Sequence, residues 1–157
     1  MKNLPFYHQL ITTGLGVGFC PFGPGTMGAL LAILVWYLLF LAIGHPFLTY
    51  ITGGLVVLFT FIGAWSSTIA ERYWGKDPSR VVIDEVVGQW ITLLAVPVTF
   101  QWWHVFAAFC LFRFFDIVKP LGIRRMEKLK DGWGIMADDV LSGIYGALVL
   151  YLIHIIL

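Results

Sequence analysis

The stretch Arg80-Val-Val-Ile-Asp-Glu-Val-Val-Gly-Gln-Trp90 places two adjacent carboxylates, Asp84 and Glu85, at the beginning of a long apolar run. A charge inside a bilayer is costly unless it is paired, so a carboxylate pair at the mouth of an apolar helix suggests a bound cation. The chain has three further acidic residues at the edges of other apolar runs, namely Asp116, Asp138 and Asp139. We predict that these five carboxylates meet at one membrane face and hold a divalent metal ion.

The composition around this stretch is that of a multi-pass membrane protein. Of the 157 residues, 59% are hydrophobic and 12% are charged, against roughly 45–50% and about 25% in soluble proteins. The formal charge of +1 gives no support for a basic nucleic-acid groove, so we exclude nucleic acid as a partner. Cys20 and Cys110 show no metal-binding spacing and are interpreted as buried apolar residues without a disulfide.

The first half of the chain predicts a helical hairpin in the membrane. Residues 6–25 are broken by glycine and proline and fit a short interfacial or re-entrant segment better than a lipid-facing span. Residues 26–43 and 47–70 are uncharged, and each is long enough to cross the hydrocarbon core of a bilayer. A turn at Gly44-His45-Pro46 separates these two spans.

The uncharged stretch of residues 86–112 contains Pro97 and allows either one kinked span or a hairpin of two. A hairpin puts every Lys and Arg of the protein on one face, whereas a single span divides them between two faces. The positive-inside rule therefore favours the hairpin, with spans near 79–97 and 102–118, and makes the charged face cytoplasmic.

The end of the chain predicts a short amphipathic surface helix after Lys119-Pro120 and a fifth span from about Ile135 to Leu157. Gly143 and Gly146 in that span would permit close helix packing. No repeat or linker divides the chain, so we predict one all-α domain, residues 1–157, a bundle of about five spans. Nothing in the sequence indicates an oligomeric state.

The acidic set fits Mg²⁺, which prefers carboxylate and phosphate oxygens. The alternative is that these residues are ordinary interfacial charges, since Asp84 and Asp138 could simply favour helix N-termini. The spacing does not distinguish a base or a nucleophile from a simple ligand among the five.

Phosphate contacts are predicted from two other stretches. Gly23-Pro-Gly-Thr-Met-Gly28 matches GxGxxG, but no strand precedes it and an apolar span follows, so a dinucleotide fold is rejected. Gly25 and Thr26 could still bind an anion at a helix N-terminus, although a plain glycine-rich turn explains the spacing equally well. Arg113 and Lys119 flank Asp116 and could clamp a phosphate.

Arg124 is predicted as a further substrate contact, although positive-inside anchoring explains it well. No CxxxxxR loop follows Cys20, and His8 is the one histidine on the charged face. A cysteine or histidine phosphoenzyme is therefore disfavoured, which leaves metal-activated water or an aspartyl phosphate.

Four blocks of the chain, in order and spacing, resemble the phosphatidylglycerophosphatase A family: residues 21–28 (PFGPGTMG), 83–88 (IDEVVG), 113–120 (RFFDIVKP) and 134–139 (GIMADD). The resemblance implies a Mg²⁺-dependent phosphatase of the bacterial inner membrane. It would remove the terminal phosphate of phosphatidylglycerophosphate, a membrane lipid, to give phosphatidylglycerol. Two positions depart from the family's pattern, because Leu121-Gly122 replaces a second proline and Asp131-Gly132-Trp133 stands where a Gly-Gly pair is usual.

Two other classes of function remain as alternatives. A small cation carrier or channel would use the acids as its ion site, but it would need charges at mid-membrane or on both faces. A purely structural membrane subunit explains the lengths of the apolar runs and leaves the clustering of acids unexplained.

Overall fold

The computed structural model describes residues 4–156, which fold into helices without a β-strand. The helices are α1 (Phe6–Thr12), a 3-10 turn (Val17–Phe19), α2 (Pro24–Ile43), α3 (His45–Trp74), α4 (Ile83–Leu93), α5 (Trp102–Val118), α6 (Ile123–Met126) and α7 (Gly132–Ile156). The all-α prediction is confirmed. Leu157, the predicted end of the last span, lies outside the described residues.

Three helices, α2, α3 and α7, are long and apolar enough to cross a membrane. Their outer faces carry exposed large apolar side chains such as Leu34, Phe61 and Leu148, which suits contact with lipid. The first two predicted spans coincide with α2 and α3 to within a few residues. Helix α2 begins at Pro24, because proline is well suited to the first turn, where its missing N–H is not needed.

The stretch of residues 86–112 forms two helices, α4 and α5, and not one kinked helix. Helix α4 is shorter than the predicted span 79–97, since it has 11 residues, about 16 Å at helical rise. Pro97 excludes the residue before it from helix, and α4 ends ahead of it at Leu93. No side chain caps the start of α4, where Val82 precedes the first helical residue.

Helix α4 lies at the centre of the bundle and packs against α2, α3, α5 and α7. All of its residues from Val86 to Leu93 are buried. The prediction that Gly143 allows close packing is confirmed, because a Cβ at this position would overlap the carbonyl oxygen of Gly88 on α4. The hydroxyl of Thr92 donates to the carbonyl of Gly143 at 3.1 Å and ties the two helices together.

The N-terminal segment supports the residues that lead into α4. The backbone N–H of Val82 donates to the carbonyl of Thr12 at 2.8 Å. A Cβ at Gly18 would overlap the carbonyl oxygen of Arg80, so glycine is required there for the two backbones to approach. The Arg80 guanidinium lies 5.6 Å from the ring centre of Phe19, within cation–π range. This segment therefore helps to fix where α4 begins.

Candidate active site

A cavity of about 970 Å³ opens at the end of the bundle where α4 and α7 begin and α5 ends. It is lined by all five predicted carboxylates, Asp84, Glu85, Asp116, Asp138 and Asp139. They come together because α5 runs antiparallel to α4 and α7, so that its last turn lies beside the first turn of α4 and beside a part of α7 about two turns after its start. The structure thus brings the predicted acidic set to one site, and the role of that set in metal binding stays a prediction.

Three of the carboxylates form a compact group. Asp84, Glu85 and Asp139 each offer one oxygen, and these oxygens lie within 4.8 Å of one another. One oxygen of each, namely Asp84 Oδ1, Glu85 Oε2 and Asp139 Oδ2, is buried without a hydrogen-bond partner. Within the described residues 4–156, the ion pairs of the cavity involve Asp116 and Asp138 and leave these three carboxylates without one.

This group fits a divalent cation. Buried carboxylates without partners repel one another and are expensive to desolvate, so they need a positive charge to be stable. Mg²⁺ supplies two charges and accepts hard oxygen ligands together with water and phosphate. Asp84, Glu85 and Asp139 are therefore the residues that would hold the ion.

The other two carboxylates are paired with the cations that were predicted to bind phosphate. Arg113 donates through Nη1 to Asp116 Oδ2, three residues later on α5. Lys119 donates to Asp138 Oδ2 and, at 2.7 Å, to Glu127 Oε1. Both cations are thereby held at the wall of the cavity, beside the three unpaired carboxylates.

Lys119 occupies an unusual backbone position. It ends α5 in the left-handed region with φ of 50°, where glycine is more common. Burial lowers the pKa of its ammonium, but the hydrogen bonds to Asp138 and Glu127 outweigh burial and set the pKa above its ordinary value. The side chain therefore remains a cation at neutral pH.

Gly25, a predicted phosphate contact, lines the cavity near the start of α2. A Cβ there would overlap Glu85 Oε1 and would lie 3.2 Å from Arg113 Nη1. The absence of a side chain lets the backbone of α2 lie directly against the acidic group and one of its cations.

Two of the predicted substrate contacts, Thr26 and Arg124, do not line the cavity. Thr26 is the third residue of α2, because the helix already begins at Pro24, and so it does not cap the helix. Its side chain is turned by about 100° from the direction of Gly25. Arg124 is an exposed residue of α6, as positive-inside anchoring would place it.

One further residue of the cavity, Glu127, and one buried polar residue of α4, Gln89, were not predicted from the sequence. Glu127, in the loop after α6, forms an ion pair with Lys119. The two residues are eight positions apart with Pro120 between them, so no helical periodicity predicts that they meet. Gln89 is completely buried on α4, and neither of its amide atoms has a hydrogen-bond partner. The only sequence signal for Gln89 is a polar residue within an apolar run.

Comparisons with known proteins identify relatives of this chain. A sequence model of the family described as Phosphatidylglycerophosphatase A matches residues 10–154. Two proteins named Phosphatidylglycerophosphatase A are similar: one from Escherichia coli, 40% identical over 92% of this chain and 82% of its own length, and one from Haemophilus influenzae, 38% identical over 93% and 88%.

A protein from Bacteroides thetaiotaomicron, provisionally named phosphatidylinositol-3-phosphatase, is 57% identical over 92% of each chain. No solved structure matches. The family match covers all five carboxylates, the two cations paired with them and nearly all of the described helices. The chain therefore belongs to the phosphatidylglycerophosphatase A family and is a phosphatase.

Proposed function

We propose that the protein hydrolyses the terminal phosphomonoester of phosphatidylglycerophosphate to give phosphatidylglycerol, with Mg²⁺ as its cofactor, at the cytoplasmic face of the bacterial inner membrane. The observation that carries this proposal is the group of three unpaired carboxylates beside two cations, Arg113 and Lys119. Such a group can hold a metal ion and a phosphate together. Two relatives at about 40% identity bear the corresponding name.

The name of the Bacteroides relative, phosphatidylinositol-3-phosphatase, suggests phosphatidylinositol 3-phosphate as a second candidate substrate. In both candidate substrates a phosphomonoester is carried by a hydroxylated headgroup on a lipid. The first departure from the family pattern, at residues 121–122, lies in the turn before α6, and the second, at residues 131–133, lies where α7 begins. Asp131 lines the cavity there, so this region is suited to contact the headgroup.

The residues of the cavity would have separate roles in hydrolysis. Mg²⁺, when held by Asp84, Glu85 and Asp139, would withdraw electrons from the phosphoryl group and make a nearby water more acidic. Arg113 and Lys119 would bind the phosphate oxygens, because their pairing with Asp116 and Asp138 holds both cations at the wall of the cavity. Gly25 lets the start of α2 lie close against Glu85 and Arg113 at the wall of this cavity.

Phosphate release by the purified protein in detergent micelles tests the substrate. We expect either or both of the two phospholipids to be hydrolysed about a hundredfold more efficiently than glycerol 3-phosphate, because acyl chains hold the substrate at the membrane interface. Chelation of Mg²⁺ with EDTA should abolish turnover, and added Mg²⁺ should restore it.

Asp84→Asn protein purified in the same way controls for contaminating phosphatases. Equal turnover of glycerol 3-phosphate would show that membrane placement does not select the substrate. If EDTA left turnover unaffected, hydrolysis would not depend on a metal ion, and the three carboxylates would not act as metal ligands in catalysis.

We also propose that the chain crosses the membrane five times, with α4, residues 94–101 and α5 forming a hairpin beside α2, α3 and α7. The short α4 is buried by its neighbours, so its length is not constrained by contact with lipid.

Single cysteines test the five crossings in a protein whose Cys20 and Cys110 are replaced by alanine. Arg125→Cys should react with an impermeant thiol reagent from the cytoplasmic side, and Val98→Cys, in the exposed turn after α4, from the opposite side. Labelling of both from one side would contradict the hairpin.

A further inference from the structure

Gln89 is a buried polar residue that the site described above does not use. It is completely inaccessible, and both Nε2 and Oε1 lack a hydrogen-bond partner among the described residues. A buried amide without partners is unfavourable in apolar surroundings, and buried polar groups in native proteins are bonded either to other protein groups or to ordered water. An unbranched apolar residue would fill this position at lower cost if the amide had no role.

The position of Gln89 on α4 relates it to the acidic group. Gln89 follows Glu85 by four residues, so the two side chains lie on the same face of the helix, with Gln89 one turn deeper. Glu85 Oε2 is likewise buried and without a partner. The other buried polar side chain of this part of α4, Thr92, is satisfied by the carbonyls of Gly88 and Gly143.

We propose that a buried water molecule joins the Gln89 amide to Glu85 Oε2, and that Gln89 is thereby a positioning residue for Glu85. A buried water requires two or more polar partners, and these two side chains offer a donor and two acceptors. The bridge would fix which oxygen of Glu85 faces the cavity and which faces the bundle. This inference rests on the proposed function, in which Glu85 is a metal ligand.

Replacement of Gln89 by methionine tests the bridge, because methionine keeps the length of the side chain and removes both polar atoms. Mutation of a residue that orients a metal ligand typically lowers metal affinity by about 10- to 100-fold. We expect Gln89→Met to weaken Mn²⁺ binding to the substrate-free protein by about tenfold or more, as measured by electron paramagnetic resonance. The Tm should stay the same or rise, because an unpartnered buried amide is replaced by an apolar group.

Thr52→Val is the matched control. Thr52 is also buried with an unpartnered hydroxyl, but it lies on α3 about 28 Å from Glu71 at the cavity, counted at helical rise. This variant should bind Mn²⁺ as the parent protein does. Gln89→Asn, which keeps the amide, should recover part of the affinity lost in Gln89→Met.

The outcomes separate this inference from the proposed function. If the parent protein neither binds Mn²⁺ nor releases phosphate from the phospholipids, the proposed function fails. If the parent binds Mn²⁺ and Gln89→Met binds it equally well, the positioning role alone is overturned. If the Tm of Gln89→Met fell while its metal affinity stayed unchanged, Gln89 would serve only in helix packing. That result would also overturn the positioning role.

Discussion

Asp84→Asn and Asp139→Asn are each expected to lower phosphate release by about a hundredfold or more, which corresponds to a loss of roughly 2.7 kcal/mol or more of transition-state stabilisation. Each substitution removes a charge and a metal ligand while leaving the size of the side chain nearly unchanged. The Tm in EDTA should not fall, because neutralising one of three mutually repelling carboxylates relieves repulsion in the ion-free protein. Turnover, Tm and Mg²⁺ dependence are to be measured together in detergent.

Glu71→Gln is the control for these two variants. Glu71 also lines the cavity, but it accepts a hydrogen bond from the backbone N–H of Asp77 at 3.1 Å and is not part of the acidic group. Its neutralisation should leave turnover within a few-fold of the parent. If Asp84 only favoured the N-terminus of α4, asparagine would replace it at small cost, and Asp139, which lies beyond the first turn of α7, would have no such role. Activity retained in both variants would therefore remove the acidic group from catalysis and strengthen the carrier interpretation.

The clustering of the carboxylates could be predicted from the sequence because it depends on topology alone. Each acidic residue stands at the edge of an apolar run, and runs joined by short turns place alternate edges at the same end of a bundle. Charge asymmetry between the two faces then selected the hairpin over a single kinked span. Asp84, Asp116 and Asp139 meet in the structure for this reason, although they lie far apart in the chain.

The division of that cluster into an unpaired group and two ion pairs could not be predicted, because it depends on side-chain directions at the helix ends. Lys119 reaches Asp138 and Glu127 because its backbone turns into the left-handed region. No spacing rule predicts that turn for a lysine. The length of α4 was overestimated for a related reason, since an uncharged run shows where lipid or core is tolerated but does not show where a helix stops.

The crossing of α4 and α7 is expected to control both stability and catalysis, and Gly143→Ala tests this. A Cβ at Gly143 would overlap the carbonyl oxygen of Gly88 and lie 3.0 Å from Ile91 Cβ. Backbone atoms cannot move aside as a flexible side chain can, so the two helices must separate. Asp139 precedes Gly143 by one turn and Asp84 precedes Gly88 by one turn, so this separation also moves two of the three carboxylates apart.

Gly143→Ala should therefore destabilise the protein by about 1–3 kcal/mol, the usual cost of overpacking a core. It should also lower turnover at saturating Mg²⁺ by about tenfold or more, because small misplacements of catalytic groups are costly. Gly53→Ala on α3 is the control, since a Cβ there meets open space, and alanine favours helix by up to about 1 kcal/mol over glycine. Its Tm should stay level or rise, with activity unchanged. If Gly143→Ala matched Gly53→Ala in both measurements, the close approach of α4 to α7 would not be what sets the spacing of the carboxylates.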